Sequence, residues 1–235
     1  MRFKLTIFSL IFFLSPAIWA VSPTEAAQRI ASLSPSFEHL QSLGKLNPRL
    51  VDGTCVSFAL HSLLAERDSK MKYEDVAEFS QNNFWTLGTG NRGVLSSVAG
   101  LIPLWGIPKV AQHFGLELEG DWLGRFTGNY PELLARWLDE GRGVLASVKA
   151  SRLYKLQIYS DNPDLARLND EHVVRVAAVK RDESGAPDVF YLIDINRGNQ
   201  VTAVPASHLT HASRNAAGLP MVAWRTMDTL PNSIK

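Results

Sequence analysis

The sequence predicts an α+β fold in which N-terminal helices, one of them opening on the cysteine, pack on a C-terminal antiparallel sheet. Two observations carry this prediction. As far as Gly141, the apolar residues recur at helical spacing between glycine and proline stops. Beyond it come short apolar runs rich in valine, parted by charged, Gly- and Pro-containing turns. Helices first and strands second is the order of an α+β chain.

In order along the chain, residues 21–50 read as a leader with a short helix near Ser36 to Leu43, stopped by Gly44. The segment Cys55 to Ala65 has apolar residues at 56, 59, 60, 63 and 64, one face of a helix. Asp52 or Thr54 supplies its N-cap, which sets Cys55 in the first turn. A second helix runs from Tyr73 to Phe79, a Gly-rich loop covers Leu87 to Gly93, and Pro103, Gly106 and Pro108 break the pattern around Trp105. Lys109 to Phe114 is a short helix ended by Gly115. Pro131 to Gly141 is an amphipathic helix with proline at its first position and glycine as its stop. Strands follow at Gly143 to Val148, His172 to Val179 and Val189 to Ile195, with further ones at Gln200 to Val204 and Met221 to Met227. Arg181 to Asp188 turns the central pair into a hairpin. The polar connection 150–171 is longer than most loops, a feature of functional segments.

The first twenty residues read as a cleavable export signal. Arg2 and Lys4 precede a ten-residue run, Leu5 to Leu14, that is apolar apart from Thr6 and Ser9. A membrane-spanning helix needs about 20 such residues. Pro16 and the small residues Ala17 and Ala20 then offer cleavage sites. The alternative is an uncleaved anchor. Cutting the 235-residue chain after Ala20 leaves 215 residues, enough for one well-buried domain and short for two. No later segment reaches transmembrane length, so no stable membrane insertion is expected after cleavage. A formal net charge of +1 excludes the basic excess of a nucleic-acid binder.

Cys55 is the only cysteine, so no disulfide forms within the chain. In an oxidising compartment that leaves a buried apolar thiol, a bridge to another chain, or a reactive group. Position favours the last, because a thiol at a helix start lies in a field of aligned peptide dipoles that stabilises its thiolate. Such a nucleophile needs a base and a group to orient that base. His172, opening a strand, supplies the imidazole. The hairpin returns Asp194 and Asn196 to the same end of the sheet, and their two-residue spacing turns both to one face of an extended strand. Either can accept from the ring nitrogen that the thiol does not use.

This order of cysteine at a helix start, histidine opening a strand and aspartate ending the next resembles the papain-like cysteine peptidases. In particular it resembles the branch typified by bacteriocin leader-processing, double-glycine peptidases and their exported relatives. The matching pieces are Thr54 to Leu60, Leu133 to Val148, His172 to Val179 and Tyr191 to Gly198, together spanning most of residues 50–205. The resemblance implies a papain-like domain over residues 21–235 and a Cys55–His172–Asp194 triad acting on peptide or isopeptide bonds. Substrates of that class are peptides, proteins or peptidoglycan stem peptides; no cofactor and no metal are implied. One departure stands out. These families place a glutamine five or six residues before the cysteine as an oxyanion donor, where this chain has Leu50 and Arg49. No glutamine occurs from Asn47 to Thr54.

Three functions follow from these residues. The first is an exported thiol hydrolase in the periplasm or secreted. The second is a papain-like binding module that has lost the oxyanion donor, and the third is an envelope structural protein with an inert thiol. The other histidines carry no such pattern. His61, six residues past Cys55, is turned about 240° away from it, and His113, His208 and His211 lack metal-site spacing. N-terminal mass determination on exported protein is expected to find Val21 first, or Ile18 if the cut follows Ala17. Met1 retained on a membrane-bound form would overturn the cleavable signal.

Overall fold

The computed structural model describes residues 21–46, 55–84, 106–121, 129–156, 171–214 and 221–231. The expected export signal, the expected N-caps Asp52 and Thr54, the glutamine-less stretch from Asn47 and the Gly-rich loop Leu87 to Gly93 lie outside the described residues. So do Pro103, Trp85, Trp105 and Trp122. Among the described residues, no helix is long and apolar enough to cross a membrane.

The chain is α+β. Six antiparallel strands form one sheet in the order β1-β6-β2-β3-β4-β5, where β1 is Leu118–Asp121, β2 Arg142–Lys149, β3 Glu171–Arg181, β4 Pro187–Ile193, β5 Val201–Pro205 and β6 Ala223–Thr229. The hairpin between β3 and β4 closes as its charged turn predicts. Asp182 Oδ1 accepts from the backbone amides of Ser184 and Ala186, and Gly185 takes a positive φ of 86°. Strand β1 departs from the expected order, since it precedes the last long helix in sequence yet pairs with β6 at the sheet edge.

Helices cover both faces of the sheet. On one face lie α1 (Pro23–Ala31), α2 (Phe37–Leu46), α3 (Cys55–Arg67), α4 (Tyr73–Phe84) and α5 (Gly106–His113). On the other lie α6 (Tyr130–Asp139), α7 (Ala150–Leu153) and α8 (Ala206–Ala212). Two covered faces explain why β2 is buried from Gly143 to Val148 without polar alternation. Trp137 of α6 and Trp224 of β6 fill opposite faces of the core.

Several helical expectations change: α4 runs on from Phe79 to Phe84, and α7 and α8 stand where the sequence predicts no helix. Residues 21–31 are a capped helix rather than a leader. Ser22 Oγ accepts from the Glu25 amide, Glu25 Oε2 accepts from the Ser22 amide, and Pro23 occupies the first position. Helix α2 runs through Gly44 to Leu46, because Leu40 and Leu43 are buried against the sheet and outweigh the cost of about 1 kcal/mol for an interior glycine. Helix α5 begins at Gly106 with Pro108 in its first turn, where no intrahelical amide bond is lost; Gly115, at φ 74°, does end the segment.

Helix α3 is buried on all sides from Cys55 to Glu66, although the sequence predicts one apolar face. The sheet covers one side of it, and α1, α4 and α5 cover the rest. Burying each of Leu60, Leu63 and Leu64 contributes roughly 1.5–3 kcal/mol. The same burial traps an ion pair. Glu66 at the end of α3 meets Arg175 in the middle of β3, and both residues are at most 3% exposed. Arg175 also donates to the carbonyls of Val144 and Val176, at 3.1 and 2.8 Å. The pair pins α3 to β3. Glu66→Ala, which strands a buried guanidinium, is expected to cost about 3–5 kcal/mol in urea unfolding, whereas Glu66→Leu with Arg175→Met costs far less. A single variant within about 1 kcal/mol of the parent would show that the pair does not secure α3.

Candidate active site

Antiparallel pairing carries three chain segments to one end of the sheet. Strand β2 ends at Lys149, β3 begins at Glu171 opposite it, and β4 ends at Ile193. His172 is therefore the second residue of β3, paired with Val148, and Asp194 follows β4 directly. From β2 the chain passes through α7 and places Tyr154 at the helix end. Helix α3, packed along β3, starts at the same end with Cys55. Gly198 fixes the loop after Asp194 at φ 58°, ψ −129°, where a Cβ would collide with the Phe37 backbone at the start of α2.

The structure brings Cys55, His172 and Asp194 together. His172 Nε2 lies 2.9 Å from Asp194 Oδ1 and 3.0 Å from the Tyr154 hydroxyl. With Nε2 so engaged, Nδ1 is the nitrogen left for the thiol, whose sulfur hydrogen-bonds the His172 ring and the Val173 amide. Cys55 is 8% exposed and His172 7%, while Asp194 is fully buried. The thiol thus keeps only a narrow opening to solvent.

Burial on its own pushes the Cys55 thiol up, but the charge and hydrogen bond of the His172 imidazolium bring it below its ordinary value, aided by the Val173 amide. Burial would likewise hold His172 neutral; the Asp194 carboxylate and then the Cys55 thiolate overcome it and push the imidazole up to about 10. Asp194 pays a desolvation cost too, yet His172, the Asn196 amide and the Tyr154 hydroxyl keep its carboxyl below the usual range. Each of the three groups is thus shifted toward its charged form by the other members of the cluster. Chemically this is a nucleophile with a proton donor beside it and an anion behind the donor.

Asn196 is placed differently from its expected position. The strand stops at Ile193, and Asp194 caps a 3-10 turn over Ile195–Arg197, its Oδ1 accepting from the Asn196 amide at 3.0 Å. The extended spacing that would set Asp194 and Asn196 side by side is lost. The Asn196 side chain instead donates to the Tyr154 hydroxyl at 2.6 Å. Tyr154 is the member of the cluster that sequence reasoning passes over. The length of the 150–171 connection marks the segment, but nothing in its spacing marks this residue.

Three of the remaining histidines have packing or hydrogen-bond partners. His61 Nε2 lies 3.1 Å from the Met71 carbonyl, and burial lowers its proton affinity. His113 stacks on Phe79 at 3.6 Å, and His208 Nε2 lies 2.9 Å from the Arg152 carbonyl.

No protein-family model matches the chain, and no curated protein matches it.

The ion pair has a direct optical signature, since Cys55 is the only thiol. Folded protein is expected to show thiolate ultraviolet absorbance, relative to Cys55→Ser, well below pH 9, and His172→Ala to lose it at neutral pH. The linkage has a sign. The folded pKa of His172 lies above its ordinary 6.5, so its stabilising contribution is complete below 6.5 and is lost as pH rises through about 10. Asp194, shifted down, contributes above its ordinary 3.8 and loses that contribution as pH falls further. A thiol that titrates near 9 in the folded protein, unchanged by His172→Ala, would dismiss the ion pair.

Proposed function

We propose that this protein is an exported papain-like thiol hydrolase that cleaves peptide or isopeptide bonds in the cell envelope or outside the cell. The observation that carries the proposal is the buried relay from Cys55 through His172 to Asp194, assembled at one sheet end from three separate elements. Its residue order supports the papain-like assignment, and Arg2 to Ala20 supports export.

The Cys55 sulfur attacks the scissile carbonyl carbon, forming a C–S bond and placing negative charge on the carbonyl oxygen. The Cys55 amide, at the first position of α3, has no intrahelical acceptor and is one donor to that oxyanion. His172 Nδ1 gives its proton to the leaving amine as the C–N bond breaks, which leaves a thioester. Water then adds to the thioester with its proton passing to His172, the C–S bond breaks, and the acid departs. Throughout, Asp194 holds the ring by Nε2 and balances the imidazolium. Peptidoglycan stem peptides suit an enzyme that stays in the periplasm. The second function, a binding module on the same fold, is favoured by the absence of glutamine from Asn47 to Thr54.

Turnover of a peptide and peptidoglycan-fragment library, with thermal melts alongside, separates the two. Cys55→Ser is expected to melt like the parent and lose turnover. His172→Ala is expected to lose roughly 10²–10⁴-fold, and the double variant to be no worse than the poorer single one, because both groups serve one step. Asp194→Ala should cost more than Asn196→Ala, since a carboxylate balances the imidazolium and an amide does not. A stable Cys55→Ser protein with its biological effect undiminished would leave the fold as a binding scaffold.

A further inference from the structure

The hydrogen bonds around Asp194 contain one participant that the triad does not require. Tyr154 is 3% exposed, and its ring lies 5.7 Å from that of His172. Its hydroxyl donates to Asp194 Oδ2 at 2.9 Å, accepts from Asn196 Nδ2 at 2.6 Å and stands 3.0 Å from His172 Nε2. A hydroxyl has one proton and two lone pairs. The proton goes to Asp194, one lone pair takes the Asn196 amide, and the other faces the proton on His172 Nε2. That proton therefore lies between two acceptors, Asp194 Oδ1 and Tyr154 Oη. Asp194 in turn receives three hydrogen bonds, from His172, from Tyr154 and from the Asn196 backbone amide at 3.0 Å.

We propose that Tyr154 is a positioning residue for the thiol chemistry, holding Asp194 as the charged partner of His172 and setting the lower pH limit at which Cys55 is reactive. The inference rests on the hydrolase proposal and extends it from three residues to five. The oxygen geometry leaves one consistent direction for each proton. Were Asp194 protonated, its own O–H would compete with Tyr154 or His172 for an acceptor, and the Asn196 backbone amide would still need one. Only the ionised carboxylate accepts all three bonds together. The Asn196 side chain adds to this, because a hydroxyl that accepts a hydrogen bond becomes a stronger donor. Asn196 thereby acts on Asp194 through Tyr154 even though its side chain faces neither the thiol nor the imidazole.

The effect has a predictable direction. Without the Tyr154 hydroxyl, Asp194 binds a proton more readily, the imidazolium is less well supported, and the thiolate forms at higher pH. The loss of one hydrogen bond to a charged group corresponds to a shift of about one to two pH units.

The test is the rate of Cys55 alkylation by iodoacetamide across the pH range, which needs no knowledge of the natural substrate. In Tyr154→Phe the acid limb of the profile is expected to rise by about one to two pH units, with the high-pH rate unchanged. Asn196→Ala keeps the hydroxyl and removes its donor, so its limb moves the same way by less. It also serves if Tyr154→Phe does not fold. A role in packing alone would lower the melting temperature and leave the limb in place. An unmoved limb in both folded variants, together with a displaced limb in Asp194→Asn, would overturn the role of Tyr154 and spare the ion pair. A parent protein whose Cys55 reacts only above pH 9 would instead remove the hydrolase proposal itself.

Discussion

The antiparallel pairing of β3 with both β2 and β4 is the constraint on which the rest of the structure depends. Register alone sets the end of β2, the start of β3 and the end of β4 side by side. Tyr154, His172 and Asp194 each sit within a few residues of one of those strand ends. Because the strands are long and paired along most of their length, a slip by one residue would move His172 to the opposite face and scatter the group. Packing both faces with helices makes such a slip costly, since every residue of β2 from Gly143 to Val148 is buried.

Helix α3 supplies the thiol, and its placement is overdetermined. Its whole circumference is buried, its C-terminal Glu66 is paired with Arg175 on β3, and Gly143 lets its Leu63 approach β2 where a Cβ would clash. A thiol mounted on so fully packed an element is held in place beside His172, as the proposed thiol chemistry requires. The opposing burden is electrostatic. Three ionisable groups are removed from water in one place, and burial opposes the charged form of each. The charges of the other members offset that burial at each group, so the shifts of Cys55, His172 and Asp194 stand or fall together.

The α1 and α2 helices tie this site to the N-terminal end of the described chain. Thr24 of α1 donates to the Tyr191 hydroxyl of β4 at 3.0 Å, and Gly198 touches the start of α2. The loop that presents Asp194 and Asn196 is thus braced from outside the sheet. A segment that reads in sequence as a leader is part of the scaffold of the site.

The sequence by itself determined most of the longer helices and strands, the antiparallel hairpin and the choice of Cys55, His172 and Asp194 as candidates, but it offered no sign of β1, α7 or α8. Helical and strand periodicities, turn residues and a lone thiol at a helix start are local signals, and local physics makes them readable. Even α1 was within reach, for Ser22 and Glu25 form a capping box around Pro23. What only the tertiary structure decided is which surfaces meet. Covering of both sheet faces, the passage of α2 through Gly44, the route of β1 to the sheet edge and the Glu66–Arg175 pair all depend on contacts far apart in sequence. So does Tyr154, whose part in the site comes from a hydroxyl reaching Asp194 across 40 residues of chain. Periodicity reports which way a side chain points from its own element; it carries no information about the atom waiting on the other side.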